Sequence, residues 1–279
     1  MNTSFIIRRP PEAPSSLFQQ VGRLAMSVTK TILGQWTLFT IAITSVVMRR
    51  KATYAITLPL VYRQVYLAGI RLLPATLFIG FCLGAIIVGQ LHMLAGLSGV
   101  DPSAYLGVAQ AIAVVRELGP LAVALLVLAR VGAPTVVELG NARASGEIEA
   151  LESLAIDPVH SLVAPRLIGT MISVSSLTIL ISFISILSSY ACTFLTGIAP
   201  FPMDYLDQLS GALTLWDLPL MLAKSLLFGA FITISAAYRG LARPIRLDEV
   251  SQCTTRCIVE SFLLCLAVDV LFVAVYYVL

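Results

Sequence analysis

Long apolar stretches constrain this chain more than any other feature of its sequence. Five are present, at residues 72–91, 103–129, 167–192, 218–237 and 258–279. A helix needs about 20 mostly apolar residues to cross the hydrocarbon of a bilayer. Because 58% of the chain is hydrophobic and only 12% is charged, lipid must be its solvent over most of its length. The sequence therefore predicts an all-α integral membrane protein with five transmembrane helices.

The segment before these stretches mixes apolar and polar residues. Residues 15–47 combine Arg23 and Lys30 with glutamines, leucines and Trp36. This mixture is typical of an amphipathic helix lying in the membrane interface. The alternative is a sixth span over residues 31–47, although about 17 residues is the lower limit for crossing. We therefore divide the chain into a tail with an interfacial helix, residues 1–50, and a five-span domain, residues 51–279.

Basic residues lie on one side of the predicted spans. They precede the first span and fill the loops between the second and third and between the fourth and fifth: Arg49, Arg50, Lys51, Arg63, Arg71, Arg130, Arg143, Arg166, Arg239, Arg243 and Arg246. The two opposite loops, residues 92–103 and 193–217, contain no Lys or Arg. Since cytoplasmic loops are enriched in Lys and Arg, this pattern predicts a cytoplasmic N-terminus and a C-terminus on the other side. That arrangement needs an odd number of spans, which favours five over six.

Small residues are spaced for close contact between the predicted helices. Gly80 and Gly84 in the first span, and Ser225, Gly229 and Thr233 in the fourth, recur every four residues. Such residues let helix backbones approach closely in lipid. The third span carries seven serines, whose hydroxyls can bond to carbonyls of their own helix or line a packed face or cavity. The residues alone leave both interpretations open.

Four charged residues near the centres of predicted spans are candidate site residues. Arg116 and Glu117 lie in the second span, Lys224 in the fourth and Asp269 in the fifth. A charge at the centre of a transmembrane helix costs about 2.5–3.5 kcal/mol on insertion scales, so each is expected to face protein or water. Neighbouring residues on a helix point about 100° apart, so Arg116 and Glu117 can meet the other two rather than each other. The set is either an ion-pair network that holds the bundle together or a polar patch that meets a lipid headgroup.

The loop between the second and third predicted spans contains an amphipathic stretch at about residues 138–157. Apolar Ile148, Leu151 and Leu154 recur at helical spacing with glutamates between them, and Pro158 is expected to end the helix. Such a helix can lie on the bilayer or press its apolar face into a groove on a partner protein. Because acidic residues disfavour an anionic leaflet, the pattern favours a protein partner.

An ordered set of short motifs in this region resembles the MlaE/YrbE permease family. The motifs are Arg-Glu-Leu-Gly-Pro at 116–120, Ala-Arg-Val-Gly at 129–132, Glu-Leu-Gly at 138–140, Arg143, Glu-Ala-Leu-Glu at 149–152, Asp-Pro at 157–158, Pro-Arg at 165–166 and Thr-Thr-Arg at 254–256. Lys224, Ser225 and Asp269 also match residue types that family members carry in the corresponding spans. The resemblance covers about residues 61–279. The ordered set is specific, whereas any single motif would be weak.

The resemblance implies the permease subunit of an ABC transporter that moves phospholipids between the inner and outer membranes of Gram-negative bacteria. It implies a multi-pass inner-membrane protein in which an interfacial helix precedes a five-span permease domain, assembled as a homodimer. Two cytoplasmic ABC ATPase subunits would bind the loop helix, and a periplasmic ring of MCE-domain proteins would sit on the opposite side. Phospholipid would be the substrate, and no nucleic-acid partner is implied.

The resemblance also assigns roles to particular residues. The loop helix would couple the permease to the ATPase through Glu147, Ile148, Leu151, Glu152, Leu154 and Asp157. Arg116 and Glu117 would lie close to the lipid path. The family usually has Glu-Gln where this chain has Gly146 and Glu147, and glycine weakens a helix by about 1 kcal/mol relative to alanine. The resemblance therefore does not predict in detail how this helix docks on the ATPase.

The chain lacks the motifs of several other functions. It has no glycine-rich loop ending in Gly-Lys-Ser or Gly-Lys-Thr, so we expect ATP to be bound by the partner ATPase and no cofactor by this chain. His92 and His160 are isolated, and Cys253 and Cys257 have no further ligands at suitable spacing. Neither catalysis nor a metal site is expected.

Two other classes of function are alternatives. A partner-free secondary transporter or channel would use the four intramembrane charges as an ion path. It explains the acidic loop poorly, and five spans without a repeat do not fit the inverted-repeat plan of such transporters. A membrane enzyme of lipid metabolism would need a cluster of His, Asp or Glu near one interface, which the sequence does not show.

Overall fold

A computed structural model describes residue 29 and residues 31–44, 54–98, 104–195, 201–242 and 250–278. Throughout these ranges the regular structure is helical. The helices before the acidic loop are α1 Thr31–Thr44, α2 Tyr54–Ala68, α3 Leu73–Ser98, α4 Leu106–Gln110, α5 Gly119–Val127 and α6 Ala133–Ala144. The later helices are α7 Glu147–Ser153, α8 Ala164–Leu195, α9 Pro202–Ala212, α10 Asp217–Ala242 and α11 Val250–Val278.

Short 3₁₀ or π-helical segments join several of these helices end to end. The joined helices form continuous helical rods. A 3₁₀ turn at Ile70–Leu72 joins α2 to α3. π-Helical turns at Ala111–Leu118 and Leu128–Gly132 join α4, α5 and α6, and a third at Val159–Val163 leads into α8. Such turns occur as insertions within helices and frequently lie at functional sites.

Five rods are long and apolar enough to cross a membrane. They are Leu58–Leu94, Leu106–Ala144, Val159–Leu195, Asp217–Leu241 and Gln252–Tyr276. The predicted all-α fold with five spans is therefore confirmed. The first rod begins earlier than predicted and the second continues 15 residues past the predicted end at residue 129, because Arg71 and Arg130 lie within continuous helix rather than in flanking loops.

The N-terminal helix α1 is shorter than the five spans. It covers 14 residues, Thr31–Thr44, whereas crossing takes about 20. Ala42 is buried in a cluster with Leu139, Val163 and residues of α10, so α1 is docked on the bundle. Its interfacial placement stays a prediction, and Arg49, Arg50, Lys51, Arg243 and Arg246 lie outside the described residues.

The main core lies between the second, third and fourth spans. Val123 and Val127 of α5 pack with Leu177 and Ile181 of α8 and with Phe228 of α10. α10 contacts α5, α6, α8 and α11, which makes it the central helix of the bundle. Polar residues on the inward faces of α10, such as Ser225 and Thr233, are therefore enclosed by protein.

Close contact between α3 and α8 depends on glycine, as the small-residue spacing predicted. A β-carbon on Gly84 would lie 2.9 Å from the Ser189 nitrogen and nearer still to Ser188. Ser188 donates a hydrogen bond to the carbonyl of Phe81 on α3, with an O–O distance of 3.2 Å. On the other side of α8, Ser225 of α10 donates to Ser175 at 3.1 Å.

The serines of α8 both bond to carbonyls of their own helix and form a packed face, so the two arrangements that the sequence left open occur together. Ser173 and Ser182 donate to carbonyls four residues earlier in their own helix, and both are buried. Ser185 accepts a hydrogen bond from the fully buried Gln110 at 2.6 Å. The serine face is therefore packed against neighbouring helices while satisfying most of its hydroxyls locally.

α9 covers the end of the bundle at which α4 begins. Tyr205 is buried, with its hydroxyl 3.0 Å from Ser189 Oγ, and this burial raises the pKa of the phenol. Gln208 accepts a hydrogen bond from the Gly107 N–H at 3.1 Å. These contacts fix α9 against α4 and α8.

Candidate functional site

Lys224 is the centre of a buried group of charges. Its side chain is fully buried in α10, and its Nζ donates to Glu117 Oε2 at 3.0 Å. The same nitrogen donates to the carbonyl oxygen of Arg116 at 2.9 Å and lies 2.5 Å from Asp269 Oδ1. An ammonium group has three donors, and three oxygens surround this one. Lys224 thus connects the second, fourth and fifth spans.

The local sequence explains why the Arg116 carbonyl is available. Pro120 has no N–H, so it cannot donate the usual helical hydrogen bond to the carbonyl four residues earlier, which is that of Arg116. The helix is π-helical over Ala111–Leu118, just before this proline, and the Gly119 N–H donates to the carbonyl oxygen of Val114, five residues earlier. Lys224 replaces the missing donor.

Arg116 forms a second ion pair beside the first. Its Nη2 lies 2.9 Å from Asp217 Oδ2 and 3.0 Å from the carbonyl of Ala212. The guanidinium also lies over the Tyr276 ring, 5.2 Å from its centroid. Asp217 Oδ2 additionally accepts from the Thr214 N–H at 2.6 Å. Arg116 therefore ties the α9–α10 turn and the end of α11 to the second span.

We call Arg116, Glu117, Asp217, Lys224 and Asp269 the charge cluster. The four predicted site residues lie together in it, but Arg116 and Glu117 turn to different partners. Asp217 is a further member that the sequence did not predict, because it lies at the end of the predicted loop 193–217. The available signal was its spacing, because residues seven apart lie on the same face of a helix and Asp217 precedes Lys224 by seven.

The charge cluster keeps unused hydrogen-bonding capacity. It has two cations and three carboxylates, so its formal charge is −1. Among the described residues, no acceptor bonds to the buried Arg116 Nε and no donor to the buried Asp217 Oδ1. Buried polar groups in proteins are nearly always paired, so these two atoms are exceptions to that rule within the charge cluster.

The opposite end of the bundle is held by a separate set of polar contacts. Arg239 of α10 pairs with Glu260 of α11, and Arg143 of α6 donates to the carbonyl of Leu241. Arg166 of α8 pairs with Glu138 of α6 at 2.9 Å. The end of α6 that leads into the acidic loop is thereby fixed to the third and fourth spans.

The acidic loop, residues 145–158, is here named the acidic connector. It begins where α6 ends at Ala144, and Gly146 adopts a left-handed backbone with φ of +77°. Glycine is the residue most easily placed in that conformation, so its presence fits a sharp turn between two helices. The predicted stretch 138–157 is therefore not one helix but the end of α6, a turn and α7.

The end of α7 also differs from the prediction. The Ile156 N–H bonds to Leu151 O and the Ala155 N–H to Glu152 O, both at 3.0 Å, which is the Schellman arrangement that terminates helices. α7 thus ends at Ser153, and Ala155 has a φ of +57°. Pro158 was wrongly expected to end this helix. It instead stands at the start of the next helical turn, where its missing N–H costs nothing.

The predicted coupling residues divide into two groups in the acidic connector. Ile148 is buried and Leu151 half-buried where α7 packs on α6. Leu154 in the terminal turn is 70% exposed, and Glu147 and Glu152 are also exposed. Asp157 accepts a hydrogen bond from the Val159 N–H at 3.0 Å, so it caps the start of the third span.

No metal centre is formed by the residues that the structure describes. In these ranges, no group of three or more His, Cys, Asp or Glu side chains could hold a metal ion. Cys253 and Cys257 lie on α11, with Cys257 buried 3.8 Å from Ser261 Oγ.

Comparison with known proteins gives the family. The model of the family described as Permease MlaE matches residues 61–275. A probable ABC transporter permease protein of Rickettsia conorii is 27% identical over 272 residues, which cover 94% of this chain and 98% of that protein. The intermembrane phospholipid transport system permease protein MlaE of Haemophilus influenzae is 27% identical over 224 residues, covering 78% and 83%.

A plant protein is also similar. TRIGALACTOSYLDIACYLGLYCEROL 1, chloroplastic, of Arabidopsis thaliana is 28% identical over 196 residues, which cover 69% of this chain and 53% of that protein. The family match includes the charge cluster, the acidic connector and nearly all of the five spans. It confirms the resemblance carried by the motifs, and the chain belongs to the MlaE permease family.

Proposed function

We propose that this chain is the permease subunit of an ABC transporter that moves phospholipids between an inner and an outer membrane, driven by a separate ATPase. Family membership supports the permease role. The name of the Haemophilus influenzae relative, an intermembrane phospholipid transport system permease protein, supports the phospholipid substrate and the intermembrane route. The five apolar rods are long enough to cross a membrane, which supports a subunit embedded in a bilayer next to its lipid substrate.

The observation that carries the proposal is the exposed end of the acidic connector. Leu154 is 70% and Ile156 43% exposed, at the end of the bundle that carries Arg143, Arg166 and Arg239. Burying a leucine side chain is worth about 1.5–3 kcal/mol. An apolar pair in the turn that ends a short helix, with acidic residues around it, suits a groove on a soluble partner.

The partner supplies ATP chemistry that this chain does not provide. In our proposal two cytoplasmic ATPases bind the acidic connectors of a homodimer, and the permease itself binds no nucleotide or other cofactor. A periplasmic ring of MCE-domain proteins receives or delivers the lipid at the opposite end. The N-terminus is cytoplasmic and the C-terminus periplasmic, as the distribution of Lys and Arg favours.

The charge cluster is the proposed polar part of the lipid path. Lys224 is fully enclosed, so in this conformation it binds the bundle together rather than a headgroup. The Arg116 side chain is 22% exposed, which makes it the cation of the charge cluster that is accessible to a lipid phosphate. Transport then requires a second conformation that nucleotide binding favours, in which these contacts are rearranged.

The test is the substitution Leu154→Asp at the tip of the acidic connector. It removes the exposed apolar contact, and we expect roughly ten- to hundredfold weaker binding of the ATPase, corresponding to the burial of one leucine. The measurement is co-purification and binding of the ATPase to the permease in nanodiscs, together with ATP-dependent lipid transfer.

Ser153→Asp is the matched control for this test. Ser153 is exposed and adjacent to Leu154. Its substitution by aspartate introduces the same charge without removing an apolar side chain. It is expected to bind the ATPase nearly as well as the unmodified chain. If Leu154→Asp retains full ATPase binding and full lipid transfer, the acidic connector is not the docking element.

A further inference from the structure

An apolar pocket lies between α1, α10 and α11, away from the charge cluster. One wall is a stripe on α1 that includes Gln35, Trp36 and Phe39, and the facing wall is a stripe on α10 that includes Leu227 and Phe231. Both stripes follow the spacing of a single helix face. Leu264 of α11 closes the third side.

The pocket extends from the membrane interface toward the middle of the bilayer. Gly34 of α1 lies against the ring of Tyr238, near the end of the rod Asp217–Leu241. The neighbouring Gln35 is therefore at the interface end of the pocket. Leu227 and Leu264 each lie close to the middle of their rods, so the other end is at hydrocarbon depth.

The shape of the pocket suits a single hydrocarbon chain. α1 already contacts α10 directly, since a β-carbon on Gly34 would lie 2.5 Å from the Tyr238 ring, and Ala42 is buried in one cluster with Ala230, Ile234 and Ala237. Packed helices lie 8–10 Å apart and a helix with side chains is about 10–12 Å wide. No third helix fits between α1 and α10 without separating them, whereas a flexible unbranched chain does.

Gln35 is the polar group of the pocket. Its side chain is only 7% exposed, although the rest of the lining named here is apolar or aromatic. An amide has two donors as well as an acceptor oxygen. Trp36 beside it is 53% exposed, and tryptophan is enriched at the level of lipid headgroups.

We propose that this pocket binds one acyl chain of a glycerophospholipid, with the Gln35 amide donating a hydrogen bond to the ester carbonyl of that chain. The chain runs from Gln35 toward Leu227 and Leu264, and α1 holds it against α10. The site takes its ligand from the surrounding bilayer. It does not depend on the transport activity or on the ATPase proposed above.

The experiment uses the full chain in nanodiscs that contain a phosphatidylethanolamine with a diazirine on one acyl chain. After irradiation, adducts are mapped by peptide mass spectrometry. We expect labelling of Phe39 and Phe231 to exceed that of Phe78, which is 70% exposed on α3 and reports ordinary contact with lipid. ATPase binding, measured on the same preparation, reports separately on the proposed function.

Two variants test the position of the chain. Leu227→Trp fills the pocket, and we expect labelling at Phe231 to fall about fivefold or more, while the exposed Ala223→Trp on the same helix leaves it unchanged. Gln35→Leu keeps the volume but removes the donor, and we expect labelling to fall about threefold.

Three results would overturn the inference. The first is labelling of Phe39 and Phe231 no higher than that of Phe78. The second is labelling that persists in folded Leu227→Trp or, if that variant does not fold, in Gln35→Leu. The third result comes from the chain isolated together with its partners. If α1 is then crosslinked to a helix of another protein and carries no lipid adducts, the occupant of the pocket is a protein.

Discussion

The side-chain nitrogen of Lys224 is surrounded inside the bundle by oxygens of both the backbone and the side chains. Two carboxylates, Glu117 and Asp269, lie on the neighbouring spans, and Pro120 frees the Arg116 carbonyl as a third oxygen. The sequence identified the charges inside the spans, because charged residues are conspicuous in apolar runs. It did not predict the role of Pro120 or of Asp217, since both depend on which helices become neighbours.

Removing the Lys224 ammonium should destabilise the bundle strongly. Lys224→Met keeps an unbranched side chain but leaves Glu117 and Asp269 facing each other without a cation. Breaking a buried ion pair by deleting one partner costs about 3–5 kcal/mol. We expect a clearly lower thermal unfolding midpoint in detergent, measured by intrinsic fluorescence.

Arg166→Met is the control for Lys224→Met. Arg166 also forms an ion pair, but its partner Glu138 has a side chain that is 63% exposed. Pairs exposed to solvent contribute about 0–1 kcal/mol, so this variant should unfold close to the unmodified chain. Equal stability of both variants would show that the charge cluster does not hold the bundle together.

At the scale of helices, periodicity predicted the acidic connector but not its bounds. Apolar residues continue at helical spacing past Ser153, which led to a predicted helix as far as residue 157. The backbone turns earlier because Leu151 and Glu152 carbonyls are capped by N–H groups of the following residues. Such a turn usually has glycine in the left-handed position, and Ala155 gives no such signal.

The contact between α3 and α8 gives a prediction about one glycine. Gly84→Val should push these helices apart, because even a β-carbon there would overlap Ser188. Overpacking of this kind costs about 1–3 kcal/mol. We expect a lower unfolding midpoint and poorer recovery of folded protein by size-exclusion chromatography.

Gly89→Val on the same helix provides the comparison. Apart from its chain neighbours and the backbone of its own helix turn, a β-carbon on Gly89 would have no atom within 4 Å. This variant should fold and unfold like the unmodified chain, apart from the small difference in helix propensity. A Gly84→Val variant as stable as Gly89→Val would contradict the close approach of α3 to α8.

For the whole molecule, the number of spans followed from the sequence because bilayer thickness sets a minimum length for each one. The order of packing did not follow, since five apolar helices offer many possible neighbours. Burial of Lys224 on the central α10 is an outcome of that packing. The small residues indicated which faces approach closely, but not that α8 would receive both α3 and α10.

The orientation of the molecule gives a prediction of its own. Cysteine is introduced at Ser145 in the acidic connector or at Ser210 on α9, in a chain whose five native cysteines are replaced. Both positions are exposed and lie at opposite ends of the bundle. A maleimide that cannot cross the inner membrane should label Ser210→Cys from the periplasm and Ser145→Cys only after that membrane is opened. The reverse pattern would contradict a cytoplasmic acidic connector.

Lipid transfer between vesicles tests the central claim most directly. The purified chain is placed with the MCE-domain ring in donor liposomes that contain fluorescent phospholipid. It is assayed without further partners, with its partner ATPase, and with the ATPase and ATP. The account predicts transfer of phospholipid only when permease, ATPase and ATP are all present, and loss of that transfer in Leu154→Asp. Rapid selective flux of a lipid or an ion through the chain alone, unaffected by the ATPase, would contradict it.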